Sequence, residues 1–167
     1  MTAPEPADHS RQPWYDPGLN FSCTQCGNCC TGPAGVVHFT DEEGRRMAEH
    51  LGIDAASFFM LYAEKRYGRW TLKERLHPDR GYDCVFLDFD QSSGKALCRV
   101  HPARPTQCWS WPFWPSILKN PKTWSKAAKN CPGMRQGGHA RQREKNAGQF
   151  FPVEQIRIIL QKNPPGL

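Results

Sequence analysis

The residues best suited to do chemistry are eight cysteines. Four are crowded into Cys23-Thr-Gln-Cys26-Gly-Asn-Cys29-Cys30, and the others are Cys84, Cys98, Cys108 and Cys131. Tetrahedral zinc takes four nitrogen or sulfur ligands, and a C-x2-C pair supplies two of them from one tight turn. Cys23-x2-Cys26 followed by Gly27 has that form, because glycine admits the positive φ that lets backbone N–H groups point at sulfur. Cys26-x2-Cys29 repeats the spacing. Neighbouring side chains diverge, so adjacent Cys29 and Cys30 argue against one ion taking all four sulfurs. Either the run contributes to two sites, or three of its thiolates ligate and one is structural. Iron–sulfur chemistry is the competing reading: bacterial ferredoxins use C-x2-C-x2-C with a remote Cys-Pro, here Cys23, Cys26, Cys29 and Cys131-Pro132. The ferredoxin's internal repeat is absent. A second four-thiolate site can be assembled from Cys30, Cys84, Cys98 and Cys108, one partition among several. All eight cysteines are candidate metal ligands, with zinc or iron as the ion.

The alternative use of eight cysteines is a disulfide framework. Residues 1–20 hold no apolar run of signal-peptide type, and no stretch is long and apolar enough to span a membrane. The expected compartment is therefore the cytosol, where clustered thiols are more often metal-binding or catalytic than paired. The formal net charge of +6 invites a nucleic-acid reading, but the charge is regional. Residues 117–146 carry eight Lys or Arg against Glu144 alone, while the remainder holds 14 basic and 15 acidic residues. Eight thiolates and two zinc ions would reduce +6 to about +2.

The other candidates weigh less. Cys98-x2-His101 has ligand-like spacing, but Pro102 follows and packing accounts for the histidine. Arg104, between two cysteines, reads equally as a donor to thiolate or as a surface ion pair. Trp109, Trp111, Phe113 and Trp114 beside Cys108, with Lys119, Lys122, Lys126 and Lys129, resemble a base-stacking surface. Aromatics of this kind more often fill a small core and wall off a metal site, and that reading is preferred. The chain contains no HExxH, P-loop or GxSxG motif, and abundant thiolates favour closed sites over catalytic ones. The balance is against an enzyme.

The chain resembles the YkgJ-type cysteine-cluster (CxxCxxCC) family, a zinc- or iron-chelating domain. The resemblance is carried by Phe21-Ser-Cys-Thr-Gln-Cys-Gly-Asn-Cys-Cys30, Asp83-Cys-Val-Phe-Leu87, Cys98-Arg-Val-His-Pro-Ala-Arg-Pro-Thr-Gln-Cys108, Pro112-Phe113 and Cys131-Pro-Gly133. It implies eight cysteines gathered around a metal site, and no known reaction. Two positions depart from the family pattern: Trp109 where an arginine is common, and His101 where a tyrosine is common.

The elements that must position these residues are short. Gly and Pro number 14 and 15, and the mean hydropathy of −0.69 leaves only a small core, so the chain would gain from metal staples. Thr40-Asp-Glu-Glu43 is a capping box that opens a helix carrying Met47, Ala48 and Leu51 and stopping near Gly52. Asp54 caps a second helix with Phe58, Phe59, Leu61 and Tyr62 toward the core, ending by Gly68. The runs 84–90 and 96–100, flanking Gln91-Ser-Ser-Gly94-Lys, predict a β-hairpin. Short helices are expected over 103–109 and 121–129, and an amphipathic terminal helix through Val153, Ile156, Ile159 and Leu160. The expected fold is a small, irregular α+β domain, mainly helical with one β-hairpin and a metal-stapled, cysteine-rich core. Its parts are a mobile tail over 1–20, a metal-binding domain over 21–135 and a C-terminal extension over 136–167. The expected partner is a metal ion rather than a membrane or a nucleic acid, with a protein partner left open. Three roles fit: a structural-zinc module that binds a partner, an iron–sulfur protein that carries electrons or senses oxidants, and a metal-handling protein.

Overall fold

The computed structural model describes residues 12–135 and 149–162. Its first helix, α1 (Asp41–Leu51), begins where the capping box places it. The Thr40 hydroxyl accepts from the Glu43 N–H at 3.2 Å, and Glu43 Oε2 accepts from the Thr40 N–H at 2.8 Å. Helix α2 (Ala55–Tyr62) follows, with Asp54 Oδ1 accepting from the Ser57 N–H at 2.9 Å. Met47, Ala48 and Phe58 face inward from these two helices, together with Phe39, Leu72, Phe86, Val100 and Ala103, to form one core cluster.

The expectation of a mainly helical fold with one hairpin is overturned. Among the described residues there are ten short strands in four antiparallel sheets. Strands β1 (Gly18–Phe21) and β10 (Gln149–Pro152) pair with each other. Strands β2 (Thr31–Gly32), β7 (Gly81–Cys84) and β6 (Glu74–His77) form a second sheet in that order. Strands β3 (His38–Phe39), β5 (Arg69–Leu72) and β4 (Ala63–Arg66) form a third. The anticipated hairpin is the fourth, with β8 (Leu87–Phe89) against β9 (Ala96–Cys98). The extra strands run to four residues at most, and β4 and β6 are largely charged, so they carry no alternating apolar signal. Two of the pairings, β1 with β10 and β2 with β7, join segments far apart in sequence, and no local turn announces them. The chain expected to end its second helix near Gly68 instead leaves it at Tyr62. It turns back through Tyr67 and Gly68, both at positive φ (53° and 74°), as a tight two-residue hairpin requires.

The remaining helices are short. A 3-10 turn (His101–Ala103) leads to α3 (Thr106–Trp109), then α4 (Pro115–Leu118), α5 (Pro121–Ala128), α6 (Pro132–Arg135) and α7 (Val153–Lys162). They build a second core cluster of Leu19, Phe113, Ile117, Leu118, Trp124, Met134, Ile156 and Ile159, which also contains Cys131. From Trp14 onward, the stretch read as a tail contributes to this cluster, with Trp14 and Tyr15 half-buried against it. The earlier part of that tail and residues 136–148 of the C-terminal extension lie outside the described residues. No helix among the described residues is long and apolar enough to cross a membrane.

Candidate metal centre

The cysteine run is pinned to three segments by its backbone and by the Asn28 side chain. At its start, the Ser22 N–H donates to the Gly133 carbonyl at 3.3 Å. The Gln25 carbonyl accepts from the Ala96 N–H on β9 at 2.7 Å, and Asn28 Nδ2 donates to the Asn130 carbonyl at 2.9 Å. The Cys30 carbonyl accepts from the Cys84 N–H on β7 at 2.8 Å. Gly27, at φ +78°, provides the turn that spacing called for, and its Cα faces Ala96 so closely that a Cβ would stand 3.0 Å from the alanine methyl. The run is thus carried to the hairpin, to β7 and to the Cys131 loop at once.

Five thiols gather as a result. Cys29 Sγ and Cys30 Sγ stand 3.7 Å apart. Cys84 and Cys108 lie close enough to Cys30 to act on it electrostatically, and Cys108 feels Cys84, Cys98 and Cys29. The bond from Cys30 pulls the Cys29 thiol down to about 7, with burial opposing it. The Cys30 thiol is driven far upward by that contact and by desolvation. Burial raises Cys84 to about 11 and raises Cys108 more strongly, with neighbouring thiols adding to the rise at both. Burial also raises Cys98, while Arg104 draws it back. Desolvation and mutual repulsion both favour the neutral thiol where several sulfurs lie close together.

Cys131 lies apart from these five and next to Cys26. Burial raises its thiol, while the Trp111 indole N–H donates to its sulfur and counters the rise. Cys23 is exposed at the outer end of the run and is drawn into neither group. His101 is exposed, and its Nε2 accepts from Arg104 Nη1, so that nitrogen is already engaged. The aromatic stretch after Cys108 packs inward, with Phe113 buried and Trp109, Trp111 and Trp114 half-buried against the second core cluster. Lys119, Lys122, Lys126 and Lys129 are exposed.

Three braces that the sequence did not reveal hold the cysteine-bearing segments. Asp83, buried beside Cys84, takes a two-pronged bond from Arg80 (2.9 and 2.7 Å) and one from the Thr31 hydroxyl (2.7 Å). These tie the residue after Cys30 to the residue before Cys84, and the Arg80 bonds hold the Asp83 carboxyl down at about 2. Glu43 Oε1 accepts from both the N–H and the hydroxyl of Thr106 at 2.7 Å, so the cap of α1 also fixes the start of α3. Burial pushes the Glu43 carboxyl up, but these bonds and the one from Thr40 outweigh it and leave it lowered. Gln107 bridges to the segment before α1, accepting from the His38 N–H at 2.7 Å and donating to the Val36 carbonyl at 3.0 Å. Cys108 therefore follows two residues that are each anchored elsewhere. Thr31, Asp83 and Gln107 adjoin a cysteine in sequence and Thr106 lies two residues from one, which is the one signal that could have singled them out.

Does this donor set suit a thiophilic metal? Among the described residues no group of three or more Cys, His, Asp or Glu side chains is placed so that it could hold a metal ion. The chemistry around the sulfurs nonetheless fits. The Cys84 sulfur accepts the Phe86 backbone N–H, the Cys98 sulfur accepts that of Val100, and the Cys131 sulfur accepts those of Gly133 and Met134. Backbone N–H groups aimed at sulfur favour the thiolate over the thiol and tune a metal bound to it. Among the described residues, two buried side-chain polar atoms lack a hydrogen-bond partner: Thr24 Oγ1, inside the run, and Arg104 Nε, between Cys98 and Cys108. Both would find an acceptor in a thiolate sulfur.

No solved structure matches the chain. A family model does, over residues 22–132, which is more than half of the sequence and includes all eight cysteines. On that match the chain belongs to the CxxCxxCC family, whose description reads "Putative zinc- or iron-chelating domain".

Proposed function

We propose that the chain binds zinc or iron through thiolates, with Cys23, Cys26, Cys29, Cys30, Cys84, Cys98, Cys108 and Cys131 as its donor set. The observation that carries this reading is the convergence of cysteine-bearing segments: Cys29 Sγ stands 3.7 Å from Cys30 Sγ, and the Cys30 carbonyl accepts from the Cys84 N–H at 2.8 Å. Cysteines serving only as small buried hydrophobes have no need to cluster. The grouping of thiols supports a principal site drawn from Cys29, Cys30, Cys84, Cys98 and Cys108, with Cys26 and Cys131 as neighbours. A bound metal would place positive charge among these crowded sulfurs and contribute folding energy to a chain with two small cores. All eight thiols are free, which suits a reducing compartment such as the cytosol. An iron–sulfur cluster is the second reading, because N–H bonds to sulfur and the proximity of Cys26 to the Cys131-Pro132 loop serve a cluster equally well.

Anaerobic purification followed by metal analysis and a visible spectrum tests both readings. A colourless protein with stoichiometric, tightly held zinc excludes the cluster. A coloured protein bleached by oxygen selects it. A fully folded chain that takes up neither zinc nor iron overturns the proposal.

A further inference from the structure

One charged side chain beside the gathered thiols, Arg104, has an unmet donor. It sits at the junction of the 3-10 turn and α3, six residues after Cys98 and four before Cys108. Pro105 follows it and confines it to extended backbone, observed at φ −56° and ψ 151°. The segment is held from outside: Arg46 Nη2 donates to the Arg104 carbonyl at 3.4 Å, and Thr106 is anchored on Glu43. One edge of the guanidinium is used, since Nη1 donates to His101 Nε2. The other edge is not, because Nε is buried without a partner. Among the described residues, the carboxylates in ion pairs belong to Glu43, Glu64 and Asp83, and none of them pairs with Arg104. Its charge acts on Cys29, Cys98 and Cys108 as well as on the bonded His101. A guanidinium is always protonated and has five N–H donors. A buried N–H without an acceptor is costly, and a thiolate sulfur would supply that acceptor at Nε.

We infer that Arg104 is the counter-charge of the thiolate site, with Nε donating to a sulfur of the Cys29, Cys98 and Cys108 group and offsetting the negative charge left over when several thiolates share one divalent ion. Four thiolates around a dication leave two negative charges, and each further thiolate adds one. Arg104 removes part of that excess without occupying a coordination position. It is a positioning and charge-balancing residue, not a ligand. The inference rests on the proposal that the thiols bind metal.

The test uses the full chain, reduced and metal-free, titrated with zinc against a chromophoric chelator at several pH values. The variants are Arg104→Met, Arg104→Lys, Arg104→Gln and His101→Ala, with circular dichroism of each metal-free form as the check on folding. Loss of an outer-shell partner typically costs 10–100-fold in metal affinity. Arg104→Met should weaken zinc by about that factor and move the pH of half-loading upward, because ligand thiols then deprotonate without a nearby cation. Arg104→Lys should recover part of the loss, and His101→Ala should hold zinc as the native chain does. Should the Met variant not fold, Arg104→Gln, which keeps an N–H donor and drops the charge, should show the same upward pH shift. Native affinity and an unmoved pH profile in the folded charge-deleting variant overturn the inference alone. So does a His101→Ala loss equal to that variant's loss, since Arg104 would then act only as a brace. A native chain that takes up no zinc and no iron overturns the metal-binding proposal itself, and this inference with it.

Discussion

Gly133 offers a sharp test of how the Cys131 loop is held against the cysteine run. It lies in α6, two residues after Cys131, and its N–H donates to the Cys131 sulfur. Its carbonyl accepts from the Ser22 N–H at 3.3 Å. A Cβ placed on Gly133 would stand 2.0 Å from the Ser22 carbonyl oxygen, 2.9 Å from its carbon and 3.2 Å from the Phe21 ring. Real Cβ contacts essentially never fall under 3.0 Å, so Gly133→Ala must separate the two backbones by about 1 Å. No flexible side chain absorbs that shift, since the nearest atoms are backbone. Overpacking of this kind costs roughly 1–3 kcal/mol, and a weakened Ser22–Gly133 hydrogen bond adds about 1 kcal/mol. The sum of roughly 2–4 kcal/mol should lower the unfolding midpoint by about 5–15 °C for a chain of this size. Gly35→Ala is the control. Its nearest neighbours would be 3.8 Å from the added methyl, and its cost should stay within about 0.5 kcal/mol. Thermal and urea unfolding of both variants decide the matter. The displaced loop should also carry Cys131 away from Cys26, so Gly133→Ala should release metal to a chelator faster than Gly35→Ala does. Equal midpoints for Gly133→Ala and the native chain would refute the packing argument.

Three further outcomes follow from the braces and the core. Glu43→Ala leaves the Thr106 and Thr40 N–H groups without their acceptor and should cost roughly 2–3 kcal/mol, read by urea unfolding, while leaving the helical content largely unchanged. Asp83 titrates at about 2 in the folded chain against about 3.9 unfolded, so its contribution is full above about pH 4 and is lost as pH falls through about 2. In Asp83→Asn that acid-dependent part should vanish, and the stability–pH curve between pH 2 and 5 should flatten relative to the native one. Phe86→Ala removes a fully buried ring two residues from Cys84 and should cost about 3–5 kcal/mol, with faster metal release as a second readout.

What was legible in the sequence was local. Helix α1 announced itself through a capping box and a buried stripe, and the terminal helix through apolar residues that meet the second core cluster at Ile156 and Ile159. The hairpin of β8 and β9 was visible because its turn residues lie between two strand-forming runs. Even there Cys84 fell on the wrong partner, since it pairs in β7 with Glu74 rather than across the hairpin. What stayed hidden was whatever depends on distant segments meeting. The β2–β7 contact that brings Cys30 to Cys84 is two residue pairs long, and neither strand has a pattern that a single sequence can reveal. Glu43 looked like a helix cap and nothing more, yet its second oxygen fixes Thr106 from 63 positions away. Trp14 and Tyr15 sat in a proline-rich stretch that composition assigned to a tail, and they pack because the β1–β10 pairing carries that stretch to the core. The candidate thiols could be named from the sequence, whereas the nearness of Cys29, Cys30, Cys84, Cys98 and Cys108 to one another, and of Cys26 to Cys131, came only with the fold.

The central claim is that the converging cysteines hold a metal, and metal content per chain across a Cys→Ser series tests it most directly. Chains purified without oxygen should carry stoichiometric zinc or iron. Cys30→Ser, Cys84→Ser and Cys108→Ser should each lose most of it, and should unfold at lower temperature as the metal's folding energy is lost. Full metal content and native stability in all three variants would contradict the account.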